Sequence, residues 1–546
     1  MRIGFPLAAA TVLTAALWST APSVVPLQAA ADPAPAVRAL LSSFDQQTPG
    51  CAVGVAVDGQ PVLAQGAGMA DLEHDVPITP ETIFEAGSVS KQFTAAAVLL
   101  LARDGKLSLD APVRTYLPEV PDYGTPITVR QLLTHTSGLR DWGSLQAIAG
   151  WPRTSRAYTH AHVLDIVGHQ KVLNFTPGTH WSYSNTGYNL AAILVGRLSG
   201  MSFADFTRTR IFEPLGMTRT SWRDDHTRIV KGRAVAYARR DGAFHSLMPF
   251  EDVYGNGGLL TTVGDLLKWN ENFVRPTVGD AAFVREQQQM VGFSGVPGHG
   301  YGLGLMFDDR RGVRQVDHSG STAGYVAHLA RYPDQRVSVA VLCNRSDGGA
   351  TQKAYDVADL YLADRAPLAP VPTSTYALND ADRARLQGIY RSQADGGSAI
   401  ALVRDGGNLR IDGGARLFAQ SATRLLAANG TAYEFDGTGT LRVRDRFNLT
   451  TYDKQLAAAP AAADLQAYAG SYVSDEVEVA LRIVAEGSTL VALRRPDARL
   501  VLTPVYKDAF SSPALGHVVF RRDASGRVTA LSVVEERMWD VRFTRQ

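Results

Sequence analysis

Only two cysteines occur in 546 residues, Cys51 and Cys343. Two thiolates cannot complete a four-ligand structural zinc site, and they allow at most one internal disulfide. Charge of one sign is also missing. The 54 Lys and Arg stand against 53 Asp and Glu, with no long basic run, which argues against a nucleic-acid partner. After the N-terminal segment no apolar run reaches the roughly 18 residues of a spanning helix, so no membrane span is expected in the mature form. A G-x-S-x-G elbow is absent, which excludes the usual α/β-hydrolase nucleophile, and no Walker or dinucleotide fingerprint is present.

The one apolar leader lies at the start. Arg2 precedes an apolar stretch from Ile3 to Trp18, and Ala29, Ala30 and Ala31 supply small residues for cleavage. This pattern predicts a secretory signal peptide over 1–31 and an exported chain, periplasmic or extracellular. Export permits disulfides. Cys51 and Cys343 sit in apolar strand-like runs, CAVGVAV and VSVAVLCN. Two separately buried thiols are the expected state, and a Cys51–Cys343 bridge is the alternative if those strands are neighbours.

At 546 residues the chain is too long for one ordinary domain. Residues 32–365 mix strands and helices. Strands at both ends (CAVGVAVDGQPVLAQGAGMAD early; runs near 301–309, 325–332 and 337–343 late) enclose a helical middle. This predicts one antiparallel sheet flanked by helices, an α+β (α/β) arrangement. Prolines mark a linker at 366–378. Helical periodicity then fades. Residues 379–457 and 465–546, separated by a second linker at 458–464, alternate short strands and turns. They open alike, with LQGIYRS and LQAYAGSY, and each later has a turn beginning at Phe and ending at Gly. We expect two related small all-β barrel-like domains, with two halves of one larger barrel as the alternative.

The chemistry concentrates in three places. GSVSKQF puts Lys91 one helical turn from Ser88, at the start of an apolar helix. A lysine there activates a serine hydroxyl, which is a weak nucleophile until a neighbour takes its proton. Tyr183-Ser184-Asn185 precedes a second apolar helix. A phenol beside an ammonium serves as acid or base, and the asparagine is placed to bind a substrate amide. His318-Ser319-Gly320 stands at the expected start of a strand, where glycine admits a close backbone approach. The next residue, Ser321, offers a backbone N–H opposite that of Ser88.

These elements, in this order, resemble the serine β-lactamase and penicillin-binding-protein-like superfamily, peptidase family S12, which includes D-aminopeptidases, D-Ala-D-Ala carboxypeptidases and class C β-lactamases. The stretches LLTHTSGL, FTPGTHWSYSNTGY, IFEPLGMTRT and GNGGLLTTVGDLLKW match that group as well. The resemblance implies a β-lactamase-like catalytic domain and a serine hydrolase that works without a metal or other cofactor. Ser88 would be acylated, Lys91 and Tyr183 would move protons, and Asn185 and Gly320 would bind substrate. His318 would donate a hydrogen bond to Tyr183 or to the substrate, and the N–H groups of Ser88 and Ser321 would form the oxyanion hole. The substrates implied are D-amino-acid-containing peptides and amides, with esters and β-lactams as runners-up. A binder that does not turn over is the rival from another class. Histidine at 318, where β-lactamases usually carry lysine, weakens a fixed positive charge for a substrate carboxylate. Two small barrels after such a domain resemble the D-aminopeptidase architecture, in which a barrel loop reaches the site. The histidines of THAHVLDIVGHQ, among them His162 and His169 with Asp165, are read as solvated or capping rather than metal-binding. Asp58, Asp110 and Asp141 are given no chemistry.

Overall fold

The computed structural model describes residues 32–546 except 154, 293–299 and 371. The expected signal peptide lies outside the described residues. Strands β1 (Cys51–Val57) and β2 (Gln60–Ala67) open the first domain. Late in the same domain come β3 (Met306–Arg310), β4 (Val313–Thr322), β5 (Tyr325–Tyr332) and β6 (Val337–Cys343). They form one sheet in the order β3-β4-β5-β6-β1-β2, antiparallel throughout. The central strands β1 and β6 are covered on both faces, which is why each reads as a continuous apolar run.

Between β2 and β3 lie the helices that carry the site. Helix α1 (Lys91–Arg103) is apolar on every side because it is enclosed on every side. It packs against α3 (Asn185–Ser199), while α2 (Trp142–Ile148) lies beside the start of α3. Helix α4 (Val263–Asn272) covers the sheet at Gly54, and α5 (Ala350–Leu362) covers the opposite face. Among the described residues no single helix is long and apolar enough to cross a membrane.

Register pairs Cys51 directly with Cys343 across β1 and β6, and the two sulfurs are bonded. The expectation of two separate buried thiols is therefore corrected. Sequence separation hid an adjacency that the strand order creates. The strand expected over 301–309 begins only at Met306. Residues ahead of it, such as Tyr301 and Leu303, are buried in a loop, so their apolar character reflects burial rather than extension. His318 sits in the second half of β4, not at a strand start.

The C-terminal part is two closed antiparallel eight-stranded barrels, which excludes the single larger barrel. One runs from Gly388 to Gln455 and the other from Gly470 to Arg545. They repeat each other in detail. Tyr390 and Tyr472, in the two first strands, are both buried and donate to the carbonyls of Leu386 and Tyr468, each at 2.8 Å. The second barrel shares one hydrophobic core with the catalytic domain, whereas the first barrel keeps a core of its own.

Candidate active site

Ser88 lies in a short 3-10 turn, Gly87–Ser90, that feeds directly into α1. The turn is pressed against β4. Gly87 has φ 51°, and a Cβ there would sit 2.6 Å from the backbone nitrogen of Ser321. A Cβ on Gly320 would sit 2.0 Å from the Ala86 carbonyl oxygen and 3.0 Å from the Ser88 nitrogen. Gly320 is thus required by the nucleophile's own turn, which leaves no room for a side chain there. The same closeness brings the backbone nitrogens of Ser88 and Ser321 near each other.

Lys91 is fully buried. Its Nζ lies 3.1 Å from Ser88 Oγ, 3.0 Å from Asn185 Oδ1 and 2.6 Å from the Asn256 carbonyl oxygen. Burial drives its pKa well below the ordinary 10.5, and the Arg537 guanidinium pushes in the same direction. The three oxygen contacts take all three N–H groups when Lys91 is charged; once it has lost a proton, the two carbonyl oxygens take the remaining N–H groups and its lone pair faces the Ser88 hydroxyl. Tyr183 faces Ser88 from the other side and hydrogen-bonds it. Burial raises the Tyr183 phenol above its ordinary range, so it is protonated at neutral pH. Its ring centroid is 4.8 Å from Lys91 Nζ.

Asn185 is held from behind. Its backbone N–H donates to Asp141 Oδ1 at 2.7 Å, and Asp141 also caps α2 by accepting from Ser144 N at 3.1 Å. Asp141 therefore has a positioning role that a reading of it as a turn residue missed.

His318 is buried, and its nitrogens are turned away from Tyr183. The hydrogen-bond directions follow from one fixed donor. Ser184 N–H can only donate, so His135 Nδ1 accepts at 3.1 Å and the proton of His135 is on Nε2. That Nε2–H donates to the Tyr301 hydroxyl at 3.1 Å. The hydroxyl donates to His318 Nε2 at 3.0 Å, and His318 Nδ1–H donates to the Ser319 carbonyl at 2.6 Å. His318 is thus neutral, in keeping with a pKa lowered to about 3, chiefly by burial. The expected donation from His318 to Tyr183 is absent. The histidine instead ends a relay that ties the Tyr183–Asn185 segment to β4.

Both barrels reach this site through the same topological element, the hairpin between their seventh and eighth strands. In the first barrel it is the turn after Thr440–Arg444. There Phe447 stacks on Trp181 at 3.9 Å, and Asn448 exchanges two hydrogen bonds with the Trp181 backbone. In the second barrel it is the turn between Val528–Glu535 and Met538–Arg545. There Ser182 Oγ donates to Glu536 O at 3.1 Å, Asp141 N donates to Arg537 O at 3.2 Å, and the Arg537 guanidinium lies over the Tyr183 ring at 4.7 Å. The resulting cavity of 1210 Å³ is lined by Ser88, Tyr183, Asn185 and His318 from the catalytic domain and by both hairpins.

The model of the beta-lactamase family matches residues 28–364, more than half of the chain. The chain belongs to the beta-lactamase family. It is a serine hydrolase of the S12-like peptidase and amidase kind. The D-aminopeptidase of Brucella anthropi is 28% identical over 511 residues, covering 89% of this chain and 93% of the relative. Among solved structures, the octameric penicillin-binding protein homologue from Pyrococcus abyssi is similar at 26% identity and TM-score 0.54, over 75% of this chain and 96% of that one. A D-stereospecific amidohydrolase from Streptomyces sp. is similar at 26% identity and TM-score 0.51, over 61% of this chain and 99% of that one. Of the residues expected from sequence, Ser88, Lys91, Tyr183 and Asn185 converge in this family site. His318, Gly320 and Ser321 adjoin it from β4.

Asn256, His135, Tyr301, Phe447 and Arg537 were not anticipated. Asn256 and His135 sit within the matched stretches GNGGLL and LLTHTSGL, so the motifs flagged their segments but not their contacts. Of the THAHVLDIVGHQ histidines, His162 Nδ1 accepts from Thr159 N at 3.1 Å and His169 Nδ1 pairs with the Asp165 carbonyl, while His160 Nε2 lies 3.0 Å from the Tyr254 carbonyl oxygen and His169 Nε2 lies 3.9 Å from Glu478.

Proposed function

We propose that the protein is an exported hydrolase that cleaves amide or peptide bonds of D-amino-acid-containing substrates through an acyl-Ser88 intermediate. The observation that carries the reading is the buried Lys91 Nζ, held by the Asn185 and Asn256 oxygens at 3.1 Å from Ser88 Oγ. Ser88 Oγ attacks the substrate carbonyl, and its proton passes to Lys91 Nζ. The developing oxyanion lies at the N–H groups of Ser88 and Ser321; one such donor is worth about 3–4 kcal/mol of barrier. Tyr183 gives its proton to the leaving nitrogen, the carbon–nitrogen bond breaks, and the Lys91 ammonium reprotonates the phenolate. In the second half a water gives a proton to the Tyr183–Lys91 pair, attacks the acyl carbon and releases Ser88 with its proton restored. Asn185 holds the substrate amide beside this path.

The substrate class rests on the D-aminopeptidase similarity, which runs over 89% of this chain and 93% of that relative. Export rests on the N-terminal pattern and on the Cys51–Cys343 bond, which suits an oxidising compartment. Hydrolysis of the p-nitroanilides of D- and L-alanine tests the stereochemical reading. The D enantiomer is expected to be cleaved at least about tenfold faster, and an L preference rejects the assignment. The N-terminus of protein purified from the exported fraction tests the other half, with residue 32 as the expected start.

A further inference from the structure

The two matched hairpins send their arginines to different places. Each carries an acidic residue followed by arginine, Asp445-Arg446 and Glu536-Arg537. Arg537 stays at the cavity, over the Tyr183 ring. Arg446, one residue before Phe447, turns instead into the sheet of the catalytic domain. Its guanidinium pairs with Asp308 on β3 and lies 3.8 Å from Asp317 Oδ1 on β4. Its carbonyl accepts from Gly300 N at 3.0 Å.

Asp317 precedes His318, so its side chain takes the opposite face of β4. That side chain is 2% exposed. Its Oδ2 accepts from Gln315 Nε2 and lies 3.6 Å from His328 Nε2 on β5. His328 is buried too, yet neither of its ring nitrogens has a hydrogen-bond partner. A buried polar group left unpaired costs free energy, and a protonated Asp317 can donate to that imidazole where an ionised one cannot. The other charged or titratable groups nearby are engaged elsewhere or already bonded. Arg310 forms a bidentate pair with Asp359, and Arg331 donates to Gln288 from the other face of the sheet. The Tyr355 hydroxyl bonds Asp317 itself, and the Tyr332 hydroxyl donates to Gln315.

The carboxyl therefore stands between two partners. Arg446 on one side needs it ionised, and His328 on the other needs it protonated. We propose that Asp317 is a positioning residue for the site: ionised, it holds Arg446 and with it the hairpin that seats Phe447 on Trp181; protonated, it turns to His328 and the hairpin loosens. Arg446 keeps Asp308 in both states, so the hairpin loosens without leaving. Burial pushes the Asp317 pKa up to about 7, which puts the exchange between the two states near neutrality. The sign follows: the hairpin is tied down above that pH and loosens as pH falls through it. The inference rests on the docking of the first barrel and not on the identity of the substrate.

The test is hydrogen exchange read by mass spectrometry on the full chain, at about pH 5.5 and about pH 8.5, corrected for the intrinsic pH dependence of exchange. Peptides from the first hairpin, 440–455, are compared with those from the second, 528–545. In the wild type the first hairpin is expected to exchange at least about threefold faster at the lower pH. Asp317→Asn keeps the shape but cannot ionise, so its first hairpin should exchange at the fast rate at both pH values while its second hairpin matches the wild type. The double variant Asp317→Asn/Arg446→Gln is expected to match Arg446→Gln alone, because both changes act through one contact. In the pH profile of kcat/KM for the p-nitroanilide of D-alanine, an inflection near pH 7 should be lost in Asp317→Asn, which a merely structural role would not produce. First-hairpin exchange that is independent of pH in the wild type, or that is as slow in Asp317→Asn as in the wild type at the higher pH, overturns the inference. If Asp317→Asn fails to fold, the wild-type comparison decides alone. The exchange readout needs no turnover, so a failure of the substrate reading leaves it standing.

Discussion

Burial of Lys91 favours its neutral form, and that preference gives the site its pH behaviour. Below its folded-state pKa, Lys91 is protonated and has no lone pair for Ser88. Activity therefore rises with pH through that pKa, which lies well below 10.5. His318 is already neutral above about pH 3, so it contributes no inflection between pH 5 and 8. A pH profile of kcat/KM checks both statements, and an inflection that disappears in His318→Asn contradicts the second. Lys91→Ala is expected to lower kcat at least about a thousandfold, since residues that act as a unit fail together. Ser88, Lys91, Tyr183 and Asn185 were legible because their spacing along two helix starts is itself the chemistry. Asp141, His135 and Tyr301 were not, because each acts through a backbone or ring contact that leaves no pattern in sequence.

At the scale of elements, the site depends on how α2, α3 and the barrel hairpins are pinned. Asp141→Ala removes the α2 cap and leaves the Asn185 N–H without its acceptor. The expected cost is about 1–3 kcal/mol, read as a lower midpoint in thermal unfolding, with kcat/KM falling as Asn185 loses its anchor. Phe447→Ala removes the ring stacked on Trp181, two residues before Tyr183. Such a stack is worth about 0.5–1.5 kcal/mol, so kcat/KM is expected to drop roughly two- to tenfold. An unchanged kcat/KM would show that the first barrel does not position the segment. Strands β5 and β6 were readable to the residue because their apolar runs end where burial ends. The loop before β3 was misread because burial alone gave it the same composition. The repeat between the barrels was visible in LQGIYRS and LQAYAGSY, but the matched use of their last hairpins was not, since those turns share only an acidic residue followed by arginine, Asp445-Arg446 and Glu536-Arg537.

The whole molecule is one catalytic pocket assembled from three domains. Arg140 and Glu476 form an ion pair between the catalytic domain and the second barrel, with the arginine side chain 1% exposed and the glutamate 15%. Arg140→Ala leaves Glu476 unpaired and is expected to cost about 3 kcal/mol, the lower end for a broken buried pair, since Glu476 retains some solvent. Because the second barrel shares the catalytic core, this variant should lower the unfolding transition of both together, with less effect on the first barrel. Separate shifts in calorimetry would contradict that coupling. The domain-level pattern was legible from the linkers and the loss of helical period. The docking was not, because Arg537 and Phe447 lie far along the chain from Ser88. The central claim, a covalent intermediate on Ser88, is tested most directly by rapid-quench intact mass of the protein mixed with D-alanine amide, with Ser88→Ala alongside. The account predicts a transient increment of one D-alanyl group on the Ser88 peptide and none in the variant. Undiminished hydrolysis in Ser88→Ala, with no adduct in either protein, would contradict it.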